Sequence, residues 1–141
     1  MRLELSNRTE LAKRALTFLV TQSGGQTTKG AILAKRLQTT THYLPQVMKP
    51  LVSNGWVVSE PGPTGGYRTT DGAAGVSMFE LIEAVEGPIE DGRCVLRGAP
   101  CPATEQCALH EAWSGARAAL VEVLLRTQAV DETPHLQPGS G

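Results

Sequence analysis

The sequence predicts a mainly α fold with a small β-hairpin wing, and three observations carry that expectation. Three short segments with helical spacing of apolar residues come first; a glycine- and proline-rich hairpin pattern follows; a long apolar-striped helix lies near the end. At 141 residues the chain has room for one domain with one extension packed against it. That is long enough to fold without disulfides. Apolar and charged residues make up 40% and 19%, which excludes a fibrous or largely disordered chain. No apolar run approaches a membrane span, and Met1-Arg2-Leu3-Glu4 lacks the pattern of a signal peptide, so the cytoplasm is expected.

Thr9 to Gln22 reads as the first helix, with Leu11, Ala15, Leu16, Leu19 and Val20 on one face and Ser23-Gly24-Gly25 as its stop. A second helix should start near Thr28 and run through Ile32, Leu33 and Leu37. Gln38-Thr39-Thr40-Thr41 makes a polar turn with a hydroxyl available to cap the next helix. That third helix, roughly His42 to Ser53, carries Leu44, Val47, Met48 and Leu51 inward and closes at Asn54-Gly55. Pro45 is expected in its first turn, and Pro50 is expected to bend its end. Trp56 to Glu60 and Gly66 to Thr69 read as paired strands around Pro61-Gly62-Pro63-Thr64-Gly65. This order is that of a winged helix-turn-helix, assigned to residues 1–75.

Residues 76–130 form the extension. Ser77-Met78-Phe79-Glu80 is a capping box opening a helix that Gly87-Pro88 stops. Irregular chain is expected from Ile89 to about Ala103, then a last helix from near Thr104 to about Gln128. Its stripe of Leu109, Ala112, Trp113, Ala116, Leu120, Val123 and Leu124 is too long for so small a core to cover. A long C-terminal dimerisation helix, packed on its counterpart in a homodimer, is therefore expected. Residues 131–141 read as a flexible tail.

Charge divides along the chain. Residues 1–70 carry nine Lys and Arg against three Glu, and the remainder carries four Arg against eleven Asp and Glu. A basic first half suits a nucleic-acid-binding module attached to something else.

All three cysteines fall in one stretch, Cys94-x6-Cys101-x5-Cys107. An odd number in a cytosolic chain argues against a disulfide framework. Three thiolates on a Gly/Pro-rich segment can wrap a metal centre and need one more ligand. The spacing lacks the paired C-x2-C knuckles usual for structural zinc. His110, three residues after Cys107, and Glu10, on the first helix of this chain or of a second subunit, are the candidate fourth ligands.

Met1-Arg2-Leu3, Tyr43-Leu44-x-Gln46, Gly62-Pro63-x-Gly65-Gly66-Tyr67 and Glu80-x-Ile82-x-Ala84-Val85-Glu86-Gly87, followed in register by the three cysteines, resemble the Rrf family of bacterial regulators. The resemblance runs from Met1 to about Gln128. That family includes an iron–sulfur assembly regulator, a nitric-oxide-sensing repressor and an iron-responsive regulator. The resemblance implies that Cys94, Cys101 and Cys107 hold an iron–sulfur cluster. Thr9-Glu10-Leu11-Ala12 is similar to the segment supplying an acidic ligand to a [4Fe–4S] cluster; Cys107-Ala108-Leu109-His110 is similar to the Cys-x-x-His of a [2Fe–2S] site. The first cysteine spacing is one residue longer than in the commonest members and closer to the iron-responsive type.

The resemblance also implies a repressor that reads a pseudo-palindromic operator in double-stranded DNA. His42, Tyr43 and Gln46 are expected at base edges or phosphates, and Arg2, Lys35, Arg36 and Lys49 at phosphates. Thr40 at the turn and Gly65, Gly66 and Arg68 in the wing complete the expected DNA-facing set. Pro61 stands where relatives often carry a wing Arg, so minor-groove readout by the wing depends on Arg68 substituting. Three rivals remain: the same dimer with a zinc site, a cluster-free thiol switch, and an iron–sulfur carrier. No nucleophile–base pairing or phosphate loop points to an enzyme.

Overall fold

The computed structural model describes residues 4–22, 25–89, 92–102 and 104–130. The expected tail at 131–141 and the candidate phosphate contact Arg2 lie outside the described residues. Helix α1 spans Asn7–Thr21 and starts two residues before the expected Thr9, because the Ser6 hydroxyl accepts the Thr9 amide at 3.2 Å. Its inward residues Leu11, Ala12, Ala15, Leu16 and Leu19 are buried. Packed on it are α2 (Gly30–Leu37), α3 (Leu44–Ser53) and α4 (Met78–Glu86).

Helix α2 begins at Gly30, not near Thr28, because Thr28 is taken by a β-bridge to Tyr67. The two residues exchange amide-to-carbonyl hydrogen bonds, both 2.8 Å. Helix α3 begins at Leu44 rather than His42. Residues 41–43 form a turn, closed where the Thr40 hydroxyl accepts the Tyr43 amide at 3.0 Å. Pro45 sits in the first turn, where its missing N–H costs no hydrogen bond. The Pro50 carbonyl ends the helix by accepting both the backbone amide (3.2 Å) and the side-chain amide (2.8 Å) of Asn54.

Strands β1 (Val57–Glu60) and β2 (Gly66–Thr69) pair antiparallel in the register Val57↔Thr69, Val58↔Arg68, Ser59↔Tyr67, Glu60↔Gly66. The double glycine is what lets this wing close. A Cβ on Gly65 would stand 2.0 Å from the Glu60 carbonyl oxygen. One on Gly66, whose φ is +147°, would stand 2.2 Å from that of Thr28. A short 3₁₀ turn, Ala73–Gly75, leads to the Ser77–Glu80 capping box of α4, which is formed as expected.

The last helix, α5, spans His110–Arg126, shorter at both ends than Thr104–Gln128. Turns and irregular chain occupy the described residues from Thr104 to Leu109, and the chain beyond Arg126 folds back. There Met78 donates its amide to the Thr127 carbonyl (2.7 Å) and Ala129 donates to Val76 (2.9 Å), which buries Ala129 and Val130 in the core. Helix α5 itself has no buried residue within the chain. Leu120, Val123 and Leu125 are 47%, 50% and 53% exposed, as expected of a helix awaiting a partner.

Two expected outcomes follow from these contacts. Gly66→Ala meets both a forbidden φ and the Thr28 backbone and should cost about 2–4 kcal/mol in urea unfolding. Gly72→Ala, with φ −78° and open space around it, should be near neutral; equal effects would refute the assigned fit. At the end of α4 the Glu86 carboxylate accepts the Ser6 amide at the start of α1. Burial pushes the Glu86 carboxyl up, but the Ser6 amide and the Ser6 and Thr9 hydroxyls together hold it below 4.5. A depressed folded-state value stabilises at pH above the unfolded value and loses that stabilisation as pH falls through the folded one. Glu86→Gln should thus lower the Tm at pH 7 by a few degrees, the size of a change below about 1 kcal/mol. The gap should close as pH drops below 4.5, and a gap independent of pH would exclude the carboxylate's role.

Candidate metal centre and nucleic-acid interface

Between α4 and α5 the chain turns on glycines: Gly92 (φ +73°) and Gly98 (φ +68°) take left-handed conformations. A local loop closes where Cys94 donates its amide to the Ala99 carbonyl (2.9 Å) and Gly98 donates back to Cys94 (3.0 Å). These turns bring the three sulfurs together: all three Sγ atoms lie within 4.8 Å of one another, and those of Cys94 and Cys107 are 3.5 Å apart. Cys94 is buried, while Cys101 and Cys107 are half-buried.

The electrostatics of the loop favour one thiolate. The Leu96 amide points at the Cys94 sulfur from 3.4 Å. That amide, against the opposing pull of burial and with help from the Cys101 thiol, the Arg97 amide and the Cys107 thiol, brings Cys94 down to about 7. Cys101 goes the other way: the Cys107 amide lowers it, but the neighbouring Cys94 and Cys107 sulfurs and burial together push it up. Three convergent soft donors, one already favoured as thiolate, fit a thiophilic metal centre.

A cavity of about 100 Å³ opens on the sulfurs. Its far wall is one face of α5: His110, Trp113, Ser114 and Arg117 follow at helical spacing. His110, the first residue of α5, ties back through its amide to the Cys107 carbonyl at 3.1 Å. Arg117 reaches across to the loop and donates to the Arg93 carbonyl at 3.4 Å. Trp113, read from the sequence as part of the dimer stripe, lines this cavity, and Arg93, Ser114 and Arg117 were not singled out at all. The available signal was the placing of Trp113, Ser114 and Arg117 at i+3, i+4 and i+7 from His110. Glu10 does not line the cavity within one chain; it is exposed on α1, with Arg14 at 3.7 Å.

The expected DNA-facing residues separate into two groups. Lys35, Arg36, Thr40, His42, Gln46 and Lys49 are exposed on α2, the turn and α3. Arg36 also lies over the Phe18 ring, 5.1 Å from its centroid. Tyr43, in contrast, is half-buried against the core. Gly65 and Gly66 have the backbone-fitting role described above. Arg68, expected as the substitute wing cation, donates its Nε to Glu60 Oε1 at 2.8 Å and is engaged within the hairpin.

Comparison with known proteins agrees with this architecture. The solved structure of CymR (YrzC), the global cysteine regulator of B. subtilis, superposes with a TM-score of 0.71 at 26% identity, covering 91% of this chain and 94% of that one. T. potens IscR shares the fold, with a TM-score of 0.67 at 20% identity over 90% of this chain and 83% of that one. Among curated proteins, the HTH-type transcriptional regulator IscR of Escherichia coli (strain K12 / DH10B) is 32% identical over 83 residues. That match takes in 59% of this chain and only 51% of the E. coli protein, so the chain spans about half the length of the curated relatives it matches. The Rrf2 family, described as an iron-dependent transcriptional regulator, matches residues 5–131, and the chain belongs to that family.

Proposed function

We propose that this chain is a DNA-binding transcription repressor, acting as a homodimer, that senses redox, nitric oxide or iron status through an iron–sulfur cluster on Cys94, Cys101 and Cys107. The observation that carries the reading is the convergence of three sulfurs within 4.8 Å at the foot of α5. His110 is favoured as the fourth ligand, which goes with a [2Fe–2S] cluster, because it lines the same cavity. Glu10 of a second subunit, with a [4Fe–4S] cluster, is the alternative. When bound, such a cluster supplies a centre that exchanges an electron or reacts with nitric oxide.

The chain's own residues supply the coupling. Cys94 and Cys107 hold the two ends of the loop together, and Arg117 fastens the loop to α5 through the Arg93 carbonyl. Glu86 fastens the other side of the loop, through α4, to the first turn of α1. Ordering or releasing the thiol loop therefore acts on the helix carrying the unpartnered apolar face and on the helix at the centre of the reading domain. The reading face follows from exposure and charge. Helix α3, led by His42 and presenting Gln46 and Lys49, suits a major groove, and Lys35 and Arg36 suit the flanking phosphates. Two such heads related by a two-fold axis suit a pseudo-palindromic site.

Protein purified without air should be brown, with matched iron and sulfide. Cys101→Ala should lower bound iron at least about tenfold, since even outer-sphere partners cost 10–100-fold in affinity. His110→Ala should alter the visible bands, whereas Glu10→Ala should leave them unchanged; the reverse result transfers the ligand role to Glu10. A colourless protein that resists reconstitution would remove the cluster. Equal DNA affinity with and without it would remove the sensing mechanism and leave the DNA-binding dimer.

A further inference from the structure

The wing carries a charge pair that changes what the hairpin can do on DNA. Arg68 and Glu60 lie diagonally across the two strands, since Glu60 pairs with Gly66 and Arg68 with Val58. Their Nε–Oε1 distance is 2.8 Å, and the second carboxylate oxygen of Glu60 accepts the Thr27 hydroxyl at 3.4 Å. The carboxylate is thus held by two segments, and the Arg68 hydrogen bond, foremost among its contacts, keeps its pKa below 4.5. Between the strands, Pro61, Gly62, Pro63 and Thr64 are exposed and uncharged. The groove beside them is lined by Lys29 and Glu60, a cation and an anion facing the same space.

From this arrangement we infer that Glu60 is a specificity-determining residue: it holds Arg68 inside the hairpin, so the wing neutralises no phosphate and DNA is read from α3 and its flanks. The inference rests on the DNA-binding reading above. A wing that offers a free Arg gains from a narrow, strongly negative minor groove. A self-neutralised wing has no such preference, and its anion disfavours close approach to phosphate.

The test compares the full chain with Glu60→Gln and with Glu60→Gln/Arg68→Gln, binding a 30-base-pair random-sequence duplex and a duplex recovered from a random pool by selection on the wild-type protein. All three proteins are first checked for equal Tm. Glu60→Gln frees one cation, so the slope of log affinity against log salt should steepen by about 0.9. Its advantage over wild type should accordingly shrink about threefold between 50 and 200 mM salt. The double variant, neutral at both positions, should return to the wild-type slope. Equal slopes for wild type and Glu60→Gln would overturn the inference. So would a double variant about 0.9 shallower than wild type, because Arg68 would then already sit on a phosphate. No binding of either duplex by wild type would overturn the DNA-binding reading itself, a result distinct from equal slopes.

Discussion

Two backbone hydrogen bonds close the excursion that carries the thiols: Met78 to Thr127 and Ala129 to Val76. They return the chain that leaves α4 for the cysteine loop and α5 to the start of α4, beside the core. Helix α5 cannot anchor itself, because none of its residues is buried within the chain. Its position comes from partial packing against α4 and from its two ends. At the C-terminal end the returning segment places Ala129 and Val130 in the core, and at the N-terminal end the chain emerges from the thiol loop at Cys107. One end is thus clamped in the packed core, and the sulfurs lie at the other.

The same logic explains why the loop is built from turns. A segment with few buried apolar contacts takes its order from local hydrogen bonds and whatever it binds. Here those bonds are short-range, Cys94 with Ala99 and Gly98, and the Arg117 link to α5 is half in solvent. Exposed Val95 and Leu96 contribute little burial. A centre that ties three sulfurs would therefore supply a large part of the order in this region, and its loss would be felt through Glu86 at the start of α1.

Features with a local physical code were legible in the sequence. The Ser77–Glu80 capping box, the two-stranded hairpin around Pro61–Gly65 and the apolar faces of α1 and α3 all follow from spacing and turn chemistry, and the structure has them. The cysteine trio was legible because all three lie within one short segment that must fold back on itself. What stayed hidden depends on partners far apart in sequence. Nothing local says that Thr28 will form a bridge with Tyr67, that Glu86 will reach Ser6, or that residues 127–130 will return to Val76. Trp113 shows the same ambiguity from the other side, since one helical stripe can face a second subunit or a loop, and only the loop's path assigns it to the cavity.

Formal charge overstates how basic the reading domain is, for the same reason. The excess of Lys and Arg over residues 1–70 counts each cation as available to DNA. Yet Arg14 donates to the Leu37 and Arg36 carbonyls at the end of α2, where a helix favours positive charge, and also lies beside Glu10. Arg68 is held by Glu60. Those two cations help hold the fold together, α2 against α1 and strand against strand. Among the described residues, the exposed Lys29, Lys35, Arg36 and Lys49 lie on and beside the helix-turn-helix rather than on the wing hairpin. On the proposed reading, a domain so charged would meet DNA chiefly through its helices, with the wing as an electrically quiet flank.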